Sequence, residues 1–259
     1  MKYLIIFDLD GTLLNTIDDL GAACNVALAH FGFPVHAAED YPSLVGNGVN
    51  KLIERALPEE ARTQENIMRL RRVFVEYYDH HNRILTKPYE GIAEVLAALK
   101  QRGWLLAVAS NKYQTAAEDI VEHYFPQVFD VILGERDGCP RKPDPQIVFD
   151  IMKRLSVQKA ETKSWETENA ANLCSSVREE KDFTANLCIS KEKDLPVSEK
   201  TENSARVFYV GDSDVDILTA RNAGLPVIAC TWGFCTEATL NTHHPDFLIH
   251  HPSQLLGIL

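Results

Sequence analysis

The chain is expected to fold as an α/β protein, a doubly wound parallel sheet interrupted by a helical insert, and three observations lead there. Short continuous apolar runs recur along it, they alternate with segments of helical periodicity, and the alternation fails between residues 15 and 87. Unbroken apolar runs mark strands buried on both faces, and strands alternating with helices build parallel sheets covered by helices on each side.

The first run is Tyr3-Leu4-Ile5-Ile6-Phe7, cut off by Asp8. Residues 15–87 then offer no convincing strand but three helical patterns, around 16–31, 47–57 and 63–83. A segment of that length far exceeds one crossover, so it is expected to form a separate helical domain inserted after the first strand. The rhythm resumes with a helix at 92–101, a strand at 104–109, a helix at 115–123, a strand at 129–133 and a helix at 145–155. Strands at 207–210, 227–230 and, more weakly, 247–249 complete the pattern, with a helix at 214–223. Gly103 and Gly224 stand just past two of these helices, where glycine closes a helix C-terminus. Residues 1–14 and 88–259 therefore make the core and 15–87 the helical domain.

One stretch of the core breaks the rhythm again. Residues 157–204 are rich in Glu, Lys, Ser, Thr and Asn, with few large apolar residues beyond Trp165 and Phe183. Such a composition does not offset its ordering entropy, and a disordered surface insertion is expected there. The words Ala171-Asn172-Leu173-Cys174 and Ala185-Asn186-Leu187-Cys188 leave a short helical pair as the alternative.

The formal charge of -11 argues against a nucleic-acid partner, which needs a basic footprint. It leaves room for a small phosphorylated metabolite, because a bound cation and one or two lysines reverse the sign locally. Six cysteines without a C-x-x-C pair fit reduced thiols in a cytoplasmic protein. The apolar run at the N-terminus is too short for a signal peptide or a membrane span, and no membrane partner is expected.

The chemistry concentrates at strand ends. Asp8-Leu9-Asp10-Gly11-Thr12 closes the first strand, and Gly211-Asp212-Ser213-Asp214-Val215-Asp216 closes a later one. Carboxylates ending buried strands are costly unless a cation or a proton compensates them. If the two strands are neighbours, the carboxylates converge in the crevice where doubly wound sheets bind ligands, and such an oxygen-rich site suits Mg²⁺. Calcium-binding EF-hand loops are excluded, since the sixth and twelfth positions counted from Asp8 are Leu13 and Asp19, and from Asp212 are Ile217 and Ala223. Ser110 and Asn111 follow the strand at 104–109 and offer a hydroxyl and an amide to phosphate oxygens. Lys142 precedes the helix that Pro145 begins, where it can meet a phosphate.

Taken in order, these four motifs, Asp8-Leu9-Asp10-Gly11-Thr12, Ser110-Asn111-Lys112, Lys142-Pro143 and the 211–216 segment, resemble the haloacid dehalogenase-like hydrolases, in their phosphoglycolate phosphatase-like branch. The resemblance implies a Rossmann-like core and a Mg²⁺-dependent phosphatase acting on a small phosphate monoester, with 2-phosphoglycolate first among substrates. It implies that Asp8 is the nucleophile forming an aspartyl-phosphate and that Asp10 is the general acid and base. Neighbouring carboxylates would keep Asp10 protonated for the first of these roles. Mg²⁺ would be held by the Asp8 carboxylate, the Asp10 carbonyl and Asp212, with Asp216 orienting a metal-bound water and Asp214 capping the following helix. Lys142 would neutralise the nucleophile, while Thr12, Ser110 and Asn111 would bind the phosphoryl group or support its turn.

The insert at 15–87 matches the family's cap in position, and Asn47 or Lys51 is the candidate to touch substrate from it. The insertion at 157–204 departs from the family pattern. A phosphohexomutase or a pyrophosphatase on the same scaffold is the alternative within enzymes, and a Schiff base on Lys51 a remoter one. A receiver-type signalling domain is disfavoured, because the strand at 129–133 is followed by Gly134-Glu135-Arg136 with no aspartate to phosphorylate. The motifs do not specify the oligomeric state.

Overall fold

A computed structural model of the protein describes residues 2–159 and 204–259. Its central sheet is wholly parallel, in the order β5 (Val131–Glu135), β4 (Leu105–Tyr113), β1 (Lys2–Phe7), β7 (Ser204–Gly211), β8 (Val227–Cys230), β9 (Phe247–Ile249). Strand order reverses between β1 and β7, because β4 and β5 extend the sheet to one side of β1 and β8 and β9 to the other. Phe7 pairs with Val210, so the segments that follow these two strands, at Asp8 and Gly211, emerge side by side.

Alternation along β1 explains the two cores. Leu4 and Ile6 join Ala107, Val207 and Tyr209 on one face, while Ile5 and Phe7 join Leu106, Val108 and Val210 on the other. Burial of that apolar area on both faces, at about 25 cal/mol per Å², is what makes an unbroken apolar strand favourable here. Helices α5 (Ile92–Gln101), α6 (Gln114–Tyr124), α7 (Gln146–Arg154) and α8 (Asp214–Asn222) complete the crossovers.

Helices α1 (Ile17–His30), α2 (Tyr41–Leu44), α3 (Val49–Ala56) and α4 (Gln64–His81) pack around a third core that includes Leu28, Ile53, Leu70 and Phe74. The chain enters and leaves this helical unit through a two-residue antiparallel ribbon that pairs Leu14 with Pro88 and Asn15 with Lys87. No strand signal was legible at either end of the segment, since two residues carry no periodicity. Buried Asp19 of α1 pins the return path by accepting hydrogen bonds from the backbone of Ile84, Leu85 and Thr86.

Three boundaries differ from expectation. Strand β4 runs on to Tyr113 across an irregularity after Ala109, so Ser110 and Asn111 lie within it rather than beyond it. Strand β5 starts two residues late, because Asp130 instead exchanges hydrogen bonds with the backbone of Leu106. The polar insertion begins later than residue 157: Val157 is buried, and Gln158–Lys159 pairs in parallel with Ser204 and Ala205 of β7. The expected disorder, and the helical pair built on Leu173 and Leu187, concern residues that lie outside those described. Short helices at Glu237–Thr242 and Leu255–Ile258 had no clear sequence signal.

Candidate active site

The carboxyl ends of β1, β4 and β7 bring the acidic motifs together. Asp8 follows β1 directly, and its backbone N–H donates to the Val210 carbonyl at 2.9 Å. The chain then turns sharply, with the Leu9 carbonyl accepting from the N–H groups of Thr12, Leu13 and Leu14. Gly11 makes that turn at φ +93°, and a β-carbon there would lie 2.3 Å from the Asp212 carboxylate. Glycine is required at this point both by the backbone conformation and by the closeness of the acid.

Lys142 is the hub of the site. Its buried ammonium donates to Asp8 Oδ1 at 2.8 Å, Asp216 Oδ1 at 2.7 Å, the Ala109 carbonyl at 2.9 Å and the Tyr209 hydroxyl at 3.1 Å. Its burial is offset by the charges of Asp216 and Asp8, which push its pKa well up and keep it a cation. Asp216 is fully buried, and its second oxygen accepts from the backbone and hydroxyl of Ser213. Ser213 itself caps α8, with its hydroxyl accepting from the Asp216 N–H, so Asp214 is not the cap. Serine and aspartate three residues apart satisfy each other's orphan groups as a capping box.

Asp212 accepts from the Thr12 hydroxyl at 2.9 Å and from the Phe234 N–H at 2.8 Å. The Thr12 hydroxyl is thereby committed to a carboxylate and is not free for phosphate. Asn111 is committed too. Its amide nitrogen donates to the Lys142 carbonyl and its oxygen accepts from the Lys142 N–H, tying the end of β4 to the Lys142 loop. Ser110 remains at the cavity, where its hydroxyl accepts from the Lys112 N–H and has its own proton to donate.

Asp10 departs from expectation. Its carboxylate accepts from Lys112 Nζ at 2.8 and 3.0 Å and from the Thr16 hydroxyl at 2.8 Å. Both of its oxygens are thus engaged by donors, and the side chains that meet it directly are a lysine and a threonine rather than carboxylates. Lys112 went unassigned in the sequence because a lysine at the end of a strand reads as a solvated charge.

Burial, then the charge of Asp216, pushes Asp8 up to about 7, and the same two causes raise Asp212 well above the carboxylate range. Oxygens of Asp8, Asp212 and Asp216 lie within 4.8 Å of one another, and one ammonium serves them. That leaves a buried excess of negative charge on hard oxygen donors, which a divalent cation of the Mg²⁺ type fits. Asp216 is tied up by the Lys142 ammonium and the Ser213 capping box. Among the described residues Asp8 has one oxygen without a side-chain partner and Asp212 meets only neutral donors, so Asp8 and Asp212 are the better placed ligands.

A cavity of about 50 Å³ lies between this sheet edge and the helical unit. Asp8, Asp10, Ser110 and Lys112 line it from the core, and Leu52 and Phe74 from the helices. Neither cap candidate faces it. Asn47 accepts a hydrogen bond from Arg55, and Lys51 is half exposed and paired with Glu54 at 2.7 Å. The Schiff-base alternative loses its support, because Lys51 is absent from the cavity lining and is ion-paired at the surface.

A sequence profile of the haloacid dehalogenase-like hydrolases matches residues 5–164, and a related hydrolase-like profile matches 140–255. The chain belongs to this family. Among curated proteins, the phosphoglycolate phosphatase of Aquifex aeolicus is 26% identical, over 99% of this chain and 96% of its own length. That of Pasteurella multocida is 28% identical, over 99% and 97%. A crystal structure from Lactobacillus delbrueckii subsp. bulgaricus, provisionally named phosphoglycolate phosphatase, superposes with a TM-score of 0.75 at 31% identity. It covers 98% of this chain and 97% of its own. This hydrolase is thus a phosphatase of the phosphoric monoester class, on the phosphoglycolate phosphatase-like branch.

Proposed function

We propose that the protein is a Mg²⁺-dependent phosphatase that hydrolyses a small monoester, 2-phosphoglycolate first among candidates, through an aspartyl-phosphate on Asp8. The observation that carries this reading is Asp8 itself. It stands at the switch point of the sheet, on the cavity wall, with one oxygen held by buried Lys142 and Asp212 close by.

In this reading the Asp8 carboxylate attacks phosphorus in line, and the P–O bond to the leaving group breaks as the new one forms. Lys142 takes up the charge shared between nucleophile and phosphoryl oxygens. The Ser110 hydroxyl donates to one of those oxygens. Asp10 gives a proton to the departing alkoxide. It then accepts one from the water that attacks the acyl phosphate, which returns Asp8 and releases inorganic phosphate. Mg²⁺, held by the Asp8 carboxylate, the Asp10 carbonyl and Asp212, would supply charge stabilisation for the phosphoryl oxygens. Thr12 and Asn111 act here as positioning residues, one on Asp212 and the other on Lys142.

The helical unit at 15–87 serves as a cap over the cavity, excluding water and restricting the leaving group. A cavity near 50 Å³ holds roughly four waters, which suits a leaving group of a few carbons. The cytoplasm is the compartment we infer. Cys24, Cys139, Cys230 and Cys235 are free thiols, and among the described residues no helix is long and apolar enough to cross a membrane. Phosphate release from a panel of phosphoesters, with Mg²⁺ and with EDTA, tests the reading. Metal-dependent turnover led by 2-phosphoglycolate is expected, and undiminished activity in EDTA would contradict it.

A further inference from the structure

Lys112 and Tyr78 face the cavity with capacity that neither the fold nor the reaction above uses. The Lys112 side chain is 3% exposed, and its ammonium sits 4.8 Å from the centre of the Tyr78 ring. An ammonium has three N–H donors, and the Asp10 oxygens take two of them. The Tyr78 hydroxyl, on a side chain with no exposure, lies against the Lys112 ammonium, yet among the described residues it makes no hydrogen bond of full geometry and none accepts its proton. An unpartnered buried hydroxyl is costly, so one on a residue that lines a cavity calls for an acceptor inside it. Around this pair the cap-side wall is apolar, with Leu20, Val49, Leu52 and Phe74. Among the described residues Lys112 is the one lysine or arginine lining the cavity, and Lys142 lies outside its lining.

We propose that Lys112 and Tyr78 form an anion subsite that selects substrates whose leaving group carries a carboxylate. This rests on the phosphatase reading above and deepens it. The phosphoryl group occupies the end of the cavity at Asp8 and Ser110. The third Lys112 N–H and the Tyr78 O–H donate to a carboxylate one or two carbons beyond the ester oxygen. A neutral leaving group leaves both donors unmatched in an apolar pocket, and a site that loses its buried hydrogen-bond partners discriminates strongly. Lys112 is therefore a specificity residue as well as the counter-ion of Asp10. The second role alone would treat all phosphoesters alike.

The test separates binding from turnover. In the full-length Asp8→Asn protein with Mg²⁺, calorimetry measures the affinity for 2-phosphoglycolate and for ethyl phosphate, its analogue with a methyl group in place of the carboxylate. A preference of tenfold or more for the carboxylate is expected. Lys112→Met should bring it below twofold, and Tyr78→Phe, which keeps the ring and its packing, should reduce it several-fold. In the Asp8-bearing enzyme, Tyr78→Phe should raise KM for 2-phosphoglycolate with little change for ethyl phosphate. A preference that survives both substitutions, or equal affinity for the two esters from the start, overturns the subsite. If Lys112→Met fails to fold, Tyr78→Phe decides alone. Absence of hydrolysis of either ester would refute the phosphatase reading, while the binding preference would still judge the subsite.

Discussion

Burial of Asp8 has a consequence that can be measured in the metal-free protein. Its pKa, pushed up to about 7, exceeds that of the unfolded chain, near ~3.9, so in the metal-free protein the folded state binds its proton more tightly. The stability this contributes is complete below the unfolded value and is lost as pH rises through about 7. Asp212 shifts in the same direction and adds the same sign. Thermal melts in EDTA should therefore fall from pH 6 to pH 8, and the fall should be shallower in Asp8→Asn. A rise over that interval would contradict the charge distribution described. Thr12 gives a second residue-level test. Thr12→Val keeps the shape and removes the one side-chain donor to Asp212, and such outer partners of metal ligands are worth ~10–100-fold in affinity. The Mg²⁺ concentration for half-maximal activity should rise by that factor, and an unchanged value would show that Thr12 does not position Asp212. The convergence of Asp8, Asp10, Asp212 and Lys142 on one sheet edge was legible because each sits next to a strand or helix whose pattern announces its place. The partners of Thr12, Asn111 and Asn47 were not, since they depend on contacts across the fold that local sequence does not encode.

At the scale of elements, the site is assembled by two ties between motifs. The Asn111 side chain clamps the Lys142 backbone from β4, and the Ser213–Asp216 box fixes the start of α8 beneath the Lys142 ammonium. Asn111→Ala removes a donor and an acceptor from buried backbone groups, at a cost of about 1–3 kcal/mol for each left unsatisfied. It also frees Lys142 to drift, and a displacement near ~1 Å lowers rate by about 10²-fold. The expected outcome is a large drop in kcat with little change in KM. A pure KM effect would return Asn111 to direct substrate binding. The strand and helix sequence was readable almost throughout, because apolar runs of period-free burial alternate with amphipathic helices. The exceptions have physical causes. Polar Ser110 and Asn111 sit in an extended strand because their hydrogen bonds are made within the site, and the Leu14–Asn15 ribbon is too short to leave a pattern.

Across the whole molecule, the parallel sheet places the edge that bears Asp8 and Asp212 where strand order reverses, and the helical unit packs against that edge. Tyr113 at the end of β4 donates to Asp79 of α4 at 2.6 Å, Asn111 reaches the Gly46 carbonyl at 3.4 Å, and Arg83 pairs with Asp119. Residues 160–203 contribute none of the site groups named here, and Gln158–Lys159 already lies beside Ser204 and Ala205 as a neighbouring strand. The two strands run parallel, so the chain must cross back before re-entering the sheet, and a polar bridge of about a dozen residues can replace the segment. Such a deletion should keep kcat/KM within about twofold, given the small entropic effect of loop length. Loss of activity would assign the segment a part in the site or in the fold.

The covalent role of Asp8 is the claim on which the rest depends, and trapping tests it most directly. Enzyme turning over 2-phosphoglycolate with Mg²⁺ is quenched in acid or reduced with borohydride, digested and analysed by mass spectrometry. One phosphoryl group, or its reduction product, should appear on the peptide containing Asp8, and Asp8→Asn should give neither adduct nor phosphate release. Turnover by purified Asp8→Asn protein, or an adduct on any other residue, would contradict the account.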